Sequence, residues 1–214
     1  KARPLRSFCR ERVHKMLIIG ISGQTGAGKS TFANLLSLRG FGENLEVDAV
    51  GHELLADGQV RKSLIIAFGD DILDASGNVC RRSLGRRAFV SSATINTLNG
   101  IMHPAMKKMV AARIDAARKN GQRAIIVNAA LLFSMGLDTL CNRLIYVQAD
   151  PEVRLKRLVN YRNWTEESAR ERLFAQDKLP EGLEVILVNN DGDESALAAT
   201  ADRVAAELCR EIAA

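Results

Sequence analysis

Residues 17–36 read LIIGISGQTGAGKSTFANLL, and the fold turns on why glycines, a lysine and hydroxyls separate an apolar run from a helix. Leu17 to Ile21 is continuous and rich in β-branched residues, the pattern of a strand buried on both faces. Phe32, Leu35, Leu36 and Leu38 recur at helical spacing, so the turn joins a strand to a helix. Between them, Gly23-Gln24-Thr25-Gly26-Ala27-Gly28-Lys29-Ser30 fits G-x-x-x-x-G-K-[ST], and Thr31 follows. In such a loop the glycines let backbone N–H groups converge on an anion, and the helix N-terminus adds its partial positive charge. Lys29 is expected to reach the β- and γ-phosphates, and the Ser30 hydroxyl to ligate Mg²⁺. The plainer alternative is a glycine-rich turn that happens to precede Lys-Ser, but the strand–loop–helix context favours the phosphate reading. The motif announces a nucleoside triphosphate, with Mg²⁺ as the expected ion at its phosphates. It does not say what the phosphate is for.

Composition narrows the class. A chain of 214 residues supports one sizeable α/β core, and 47% hydrophobic with 26% charged residues is globular rather than disordered. No apolar run approaches the ~20 residues that span a bilayer, so no membrane partner is expected. Cys9, Cys80, Cys141 and Cys209 lie far apart without a C-x-x-C pair, which argues for reduced thiols in a cytoplasm and against a zinc site. The net charge of +5 is local. Residues 1–15, KARPLRSFCRERVHK, hold six Lys or Arg and one acid, and residues 16–214 are balanced. A nucleic-acid partner would rest on that stretch alone, a weak basis. It is expected to be a poorly ordered basic extension preceding a single domain, residues 16–214.

Along the domain, strands alternate with helices, which implies a parallel sheet covered on both faces. The expected strands are Met16–Ile21, Leu45–Asp48, Arg123–Asn128, Arg143–Gln148 and Glu184–Val188. Between the second and third, the apolar spacing is helical, for example at Leu64, Ala67 and Phe68, at Leu84 and Ala88, and at Met106, Val110 and Ile114. A helical segment of this size is too large for a loop, and residues 59–122 are expected to form a substrate-holding insertion.

Glu46-Val47-Asp48 closes the second expected strand, where side chains two apart point to one side. Ligands of open parallel sheets bind beyond the carboxyl ends of the strands. Asp48 could there accept a proton from a substrate hydroxyl or support the Mg²⁺ shell. It could equally be the N-cap of a helix opening AVGHELLADG. Position alone does not choose. Downstream, Arg154, Arg157, Arg162, Arg170 and Arg172 surround an expected turn at Asn163-Trp164, and Thr165 with Glu166, Glu167 and Ser168 marks a new helix. Two arginine-bearing helices across a turn, residues 154–180, have the layout of a lid that excludes water. One or two of these arginines, Arg157 among them, are candidates to touch phosphate, and the rest could form a solvated face.

These residues carry a resemblance to the dephospho-coenzyme A kinase family, extending from Leu17 to about Asp193. VDAVGHELLADGQ resembles the family's D-A-D segment, with Asp48 on its second aspartate and Glu46 replacing the first. FGDDILDASGNVCRRSLGRRAF is similar to its F-G…G…R-x-x-L-x-x-x-x-F pattern through Phe68, Gly69, Gly77, Arg81, Leu84 and Phe89. LNGIMHP matches L-N-x-I-x-H-P through Leu98, Asn99, Ile101, His103 and Pro104. Gln176 follows the lid helix as in the family, and VNNDG resembles the closing N-x-G near the adenine through Asn190 and Gly192. The chain departs from the pattern at Ser134, at Arg154 and in DKLPEGLE after Gln176. The resemblance implies a three-layer P-loop kinase fold that phosphorylates the ribose 3′-hydroxyl of dephospho-CoA. It also implies Asp48 near that hydroxyl and Arg81, Asn99 and His103 in the acceptor pocket, although His103 could instead be a packed helix-start residue before Pro104. A nucleoside or nucleotide kinase shares the loop, lid and strand-end carboxylate but not the insertion motifs. A non-catalytic nucleotide switch or transport subunit would need N-K-x-D or L-S-G-G-Q, and neither occurs.

Overall fold

The computed structural model describes residues 16–162, 164–174 and 179–213. The basic stretch 1–15, Gln176 and the side chains of Arg162 and Arg172 lie outside the described residues. Among those described, β1 (Leu17–Gly23), β2 (Asn44–Glu46), β3 (Ala124–Asn128), β4 (Arg143–Gln148) and β5 (Ile186–Asn189) form one parallel sheet in the order β2-β3-β1-β4-β5. This is the expected α/β architecture, with helices on both faces of the sheet. The apolar run of β1 explains its central place. Ile19 pairs with Ile126 of β3 and Ile21 with Ile145 of β4, and all four are fully buried. A strand covered on both faces must be continuously apolar, which is what Leu17 to Ile21 supplies.

Helix α1 (Lys29–Leu38) follows the loop after β1 and buries Phe32, Ala33 and Leu36 in the main core. Leu38, expected on the same apolar stripe, is 84% exposed, because two positions beyond Leu36 is the opposite side of the helix. Helix α8 (Glu194–Ala213) adds Leu197, Ala201, Val204 and Leu208 to that core. Arg39, just after α1, ties the two helices by donating to Asp202 at 2.7 Å and to the Ala198 carbonyl at 2.9 Å.

Chain contacts divide the protein into two compact units, one built from residues up to Glu46 and from Ile114 onward, the other from Val47–Arg113. The second unit holds α2 (Val47–Leu54), α3 (Gly58–Phe68), α4 (Arg81–Ala88) and most of α5 (Ser92–Lys119). Its buried residues include Val50, Leu54, Val60, Leu64, Ile72, Leu84, Met106 and Val110. Asp57 caps α3 by accepting from the N–H groups of Gln59 and Val60 at 2.9 and 3.0 Å. An ion pair between Arg113 and Glu53 links α5 to α2.

Two local expectations are corrected. The second strand ends at Glu46, and Asp48 lies in the first turn of α2 rather than on a strand. Glu46 and Asp48 therefore do not share a strand face. His103 is interior to α5, because the helix runs through Pro104 instead of starting there. Proline's ring crowds the carbonyl of the residue four before it. That residue is Gly100, exposed and with open space where a Cβ would point, so its carbonyl can turn to water.

Gly42 shows how tightly β2 is set. Its φ of +82° is left-handed, and a Cβ there would meet the Ala124 carbonyl oxygen at 1.9 Å. Gly42→Ala is expected to destabilise the protein by at least about 1–3 kcal/mol, the usual cost of such backbone strain. Denaturant melts should show a lower midpoint with an unchanged slope.

Candidate functional site

At Gly23, β1 turns out of the sheet with φ +142°, and a Cβ would fall 1.9 Å from the carbonyl oxygen of Val147 on β4. The next N–H, of Gln24, donates to that same carbonyl at 3.0 Å. No side chain fits between the loop and β4, so glycine is required by contact as well as by torsion. The loop then folds on itself. The Ala27 N–H donates to the Gln24 carbonyl at 3.1 Å, and Gly28, at φ +91°, is the residue from which α1 starts. The first turn of α1 has no acidic residue, so its N–H groups and dipole meet no built-in anion. Lys29 opens the helix, and its Nζ donates to the Gln24 carbonyl at 3.3 Å. Ser30 and Thr31 follow on the first turn.

The loop is braced from three directions. From the end of β5, Asn190, 5% exposed, donates its amide to the Ala27 carbonyl at 2.8 Å. That amide nitrogen would lie 2.5 Å from a Cβ at Gly28, so the third glycine of the motif is where Asn190 enters. From just beyond β4, the Ala149 N–H donates to Oε1 of Gln24 at 3.3 Å. From α6 (Pro151–Arg162), the backbone and Cβ of Arg154 would lie 3.0–3.3 Å from a Cβ at Gly26. Gln24, Gly26, Ala27 and Gly28 are each held by a named partner.

The lid arginines divide by contact. Arg154 is buried and donates Nε to the Ala149 carbonyl at 3.0 Å; burial draws its guanidinium below the ordinary arginine value, against the opposing influence of Tyr146 and Asp150. Arg157 donates to the carbonyls of Asn190 at 2.8 Å and Gly192 at 2.9 Å. Arg170 pairs with Glu166 four residues back on α7 (Glu166–Phe174), at 2.7 Å on the exposed face. The Thr165 hydroxyl accepts from the Ser168 N–H at 3.3 Å, the helix start legible in the sequence.

On the other side of β1, the sequence reading missed a buried polar group. Asn128 closes β3, is 4% exposed, and pairs in register with Ile21 of β1 and Glu46 of β2. Its Nδ2 donates to Oε1 of Glu46 at 2.9 Å and approaches Oγ of Ser30 at 3.2 Å. The available signal was an asparagine ending an otherwise apolar strand, AIIVN.

The four expected acceptor-side residues, Asp48, Arg81, Asn99 and His103, all belong to the second unit. Asp48 is exposed, and its carboxylate makes no hydrogen bond among the described residues, so it is not serving as an N-cap. Arg81 opens α4 and is exposed, while Asn99 and His103 are half-buried on α5. Among the described residues, no cluster of three or more His, Cys, Asp or Glu could hold a metal ion. Nor is any helix long and apolar enough to cross a membrane.

The sequence pattern of the dephospho-CoA kinase family matches residues 17–195. The dephospho-CoA kinase of Corynebacterium efficiens is 36% identical over 92% of this chain and all of its own length. That of Geobacillus kaustophilus is 30% identical over 82% of this chain and 89% of its own. Among solved structures, a Thermus thermophilus protein superposes with a TM-score of 0.73 at 26% identity, over 90% of this chain and 98% of that one. The dephospho-CoA kinase of Campylobacter jejuni shares the fold, with a TM-score of 0.66 at 20% identity over 91% and 98%.

Asn190 offers a test of the bracing. Asn190→Ala should leave the buried Ala27 carbonyl unpaired, costing about 1–3 kcal/mol, and should weaken ADP binding as the loop loosens. Asn190→Asp should be worse in both respects, because it sets a carboxylate oxygen against a carbonyl. Calorimetric titration with ADP and thermal melts of both variants check this ordering. The chain belongs to the dephospho-CoA kinase family.

Proposed function

We propose that this kinase transfers the γ-phosphoryl group of ATP to the ribose 3′-hydroxyl of dephospho-CoA, giving CoA and ADP, in the cytoplasm. The observation that carries the reading is a family pattern spanning both the phosphate loop and the helical unit, residues 17–195. A phosphate loop alone would fit any P-loop kinase.

ATP would lie along residues 23–31, with the loop N–H groups and Lys29 facing the charge that spreads over the transferring group. Lys29, whose contact with the Gln24 carbonyl is long at 3.3 Å, would turn its ammonium toward phosphate. We assign Asn190 and Arg157 the task of holding the loop and the Asn190–Gly192 turn, which would form one wall of the nucleotide site. Arg154 would fix the opposite flank of Gly26. A preformed cradle of this kind spends no reorganisation energy at the moment of transfer.

The residues present fit Mg²⁺. Ser30 places a hydroxyl at the start of a helix without first-turn acids, next to a polar pair, Asn128 and Glu46, at the ends of neighbouring strands. When bound, the ion would neutralise phosphate charge and orient the β- and γ-oxygens. Ser30 would ligate it. On the acceptor side, Asp48 would accept or orient the proton of the 3′-hydroxyl, a role supported by its free carboxylate in the first turn of α2. Arg81, Asn99 and His103 would line the acceptor pocket within residues 59–122. Residues 154–180 would close over both substrates, making water a poor competitor for the phosphoryl group.

A coupled assay of ATP turnover against dephospho-CoA, adenosine, AMP and uridine tests the acceptor, and dephospho-CoA should dominate. Preference for a nucleoside or AMP would overturn the assignment. Lys29→Ala should fold normally and lose at least ~10²-fold in kcat/KM, the scale of removing one preorganised electrostatic contact. Asp48→Asn should lower kcat by ~10²–10⁴-fold, the range of general-base assistance, while dephospho-CoA still binds. Its melting temperature should hardly move, since Asp48 is exposed and bonds to nothing among the described residues.

A further inference from the structure

In P-loop NTPases the metal ion is held by the loop hydroxyl together with a carboxylate from a neighbouring strand end. The corresponding place here, the end of β3 beside β1, is taken by Asn128, whose amide nitrogen cannot ligate a cation. The carboxylate is one strand further out. Glu46 ends β2 and lies opposite Asn128 in the β2–β3 register, so the two side chains share a face of the sheet.

The hydrogen bonds define the polarity of this group. Glu46 as a carboxylate only accepts, so the atom of Asn128 facing it must be the amide nitrogen. The same Nδ2 approaches Oγ of Ser30 at 3.2 Å. Both of its hydrogens are thereby used, one toward each oxygen. Ser30 then accepts on one lone pair, keeps the second for a cation, and has its own proton free for a phosphate oxygen. Oε1 of Glu46 is further occupied by Nδ2 of Asn44 at 3.3 Å, and Asn44 is itself held by Asn34 at 2.8 Å. Oε2 of Glu46 has no partner among the described residues.

We infer that Glu46, held by Asn128 beside Ser30, is the carboxylate that steadies the water shell of the divalent cation, with Asn128 as the positioning residue that orients the Ser30 hydroxyl. The inference rests on the proposed kinase reading and deepens it. It separates the duties of two acids: Glu46 serves the metal, and Asp48 serves the acceptor hydroxyl. The charge that ordinarily sits at the inner strand end is supplied here from the outer strand through an amide.

Mn²⁺ binding provides a readout independent of turnover. Its affinity for the protein–ADP complex can be measured by electron paramagnetic resonance in the parent, in Glu46→Gln and in the double variant Glu46→Gln/Asn128→Asp. ADP affinity in EDTA and melting temperature serve as structural controls. Glu46→Gln keeps an oxygen for Asn128 to bond, so the controls should hold while Mn²⁺ affinity falls about tenfold or more, as for other outer-shell partners of metals. The double variant, with its carboxylate returned to the inner strand, should recover most of that loss. Unchanged Mn²⁺ affinity in Glu46→Gln, or a parallel fall in metal-free ADP affinity and melting temperature, would overturn the inference. Failure of the parent protein to bind ADP at all would overturn the kinase reading and this inference with it.

Discussion

The nucleotide end of this protein depends on one steric constraint, the approach of Gly23 to the Val147 carbonyl, where a Cβ would lie at 1.9 Å. β1 is the central strand, between β3 and β4, and it ends at Gly23 in register with Val147 of β4. The Gln24 N–H then bonds the same carbonyl and fixes the start of the loop against β4. Every later feature of the loop inherits its position from that exit. The absence of a side chain at Gly28 admits the Asn190 amide, and its absence at Gly26 admits the backbone of Arg154. Each motif glycine thus answers a particular neighbour.

Those neighbours arrive from elements remote in sequence and place the loop within a rigid frame. Asn190 follows directly on β5, Arg154 belongs to the first turn of α6, and Asn128 ends β3. These residues are at most 5% exposed, in a predominantly apolar core. Buried polar groups are tolerated when they are hydrogen-bonded, and here the bonds go to the loop, its flanking carbonyls and the Glu46 carboxylate. A helix start with converging N–H groups and no acid of its own is an anion site by construction. Preorganisation therefore rests on three buried side chains as much as on the glycines.

Much of the fold was legible because burial writes itself into apolar pattern. The continuous runs at Leu17–Ile21 and Ala124–Val127 could only be strands covered on both faces. The phosphate loop was legible because its chemistry is local to eight residues. The misplacements have equally physical causes. Asp48 looked like a strand residue because β2 is a three-residue edge strand, too short for alternation to be distinguished from a helix beginning at Val47. His103 looked like a helix start because proline usually marks one, and Gly100 supplied the unusual tolerance. Leu38 looked like core because apolar character alone does not say which side of α1 it occupies.

By itself the sequence determined the parallel α/β class, the anion-binding loop with its lysine and hydroxyl, and the family. These depend on periodicity and on residues adjacent in the chain. Only the tertiary structure decided which side chains hold that loop and which carboxylate stands beside Ser30. Asn128 lies 98 residues from Ser30 and 82 from Glu46, and Asn190 lies 163 from Ala27. Partnerships at that separation are made by strand order and register. Once β3 is set between β1 and β2, an asparagine at its end must meet both neighbours, and no local pattern records that meeting.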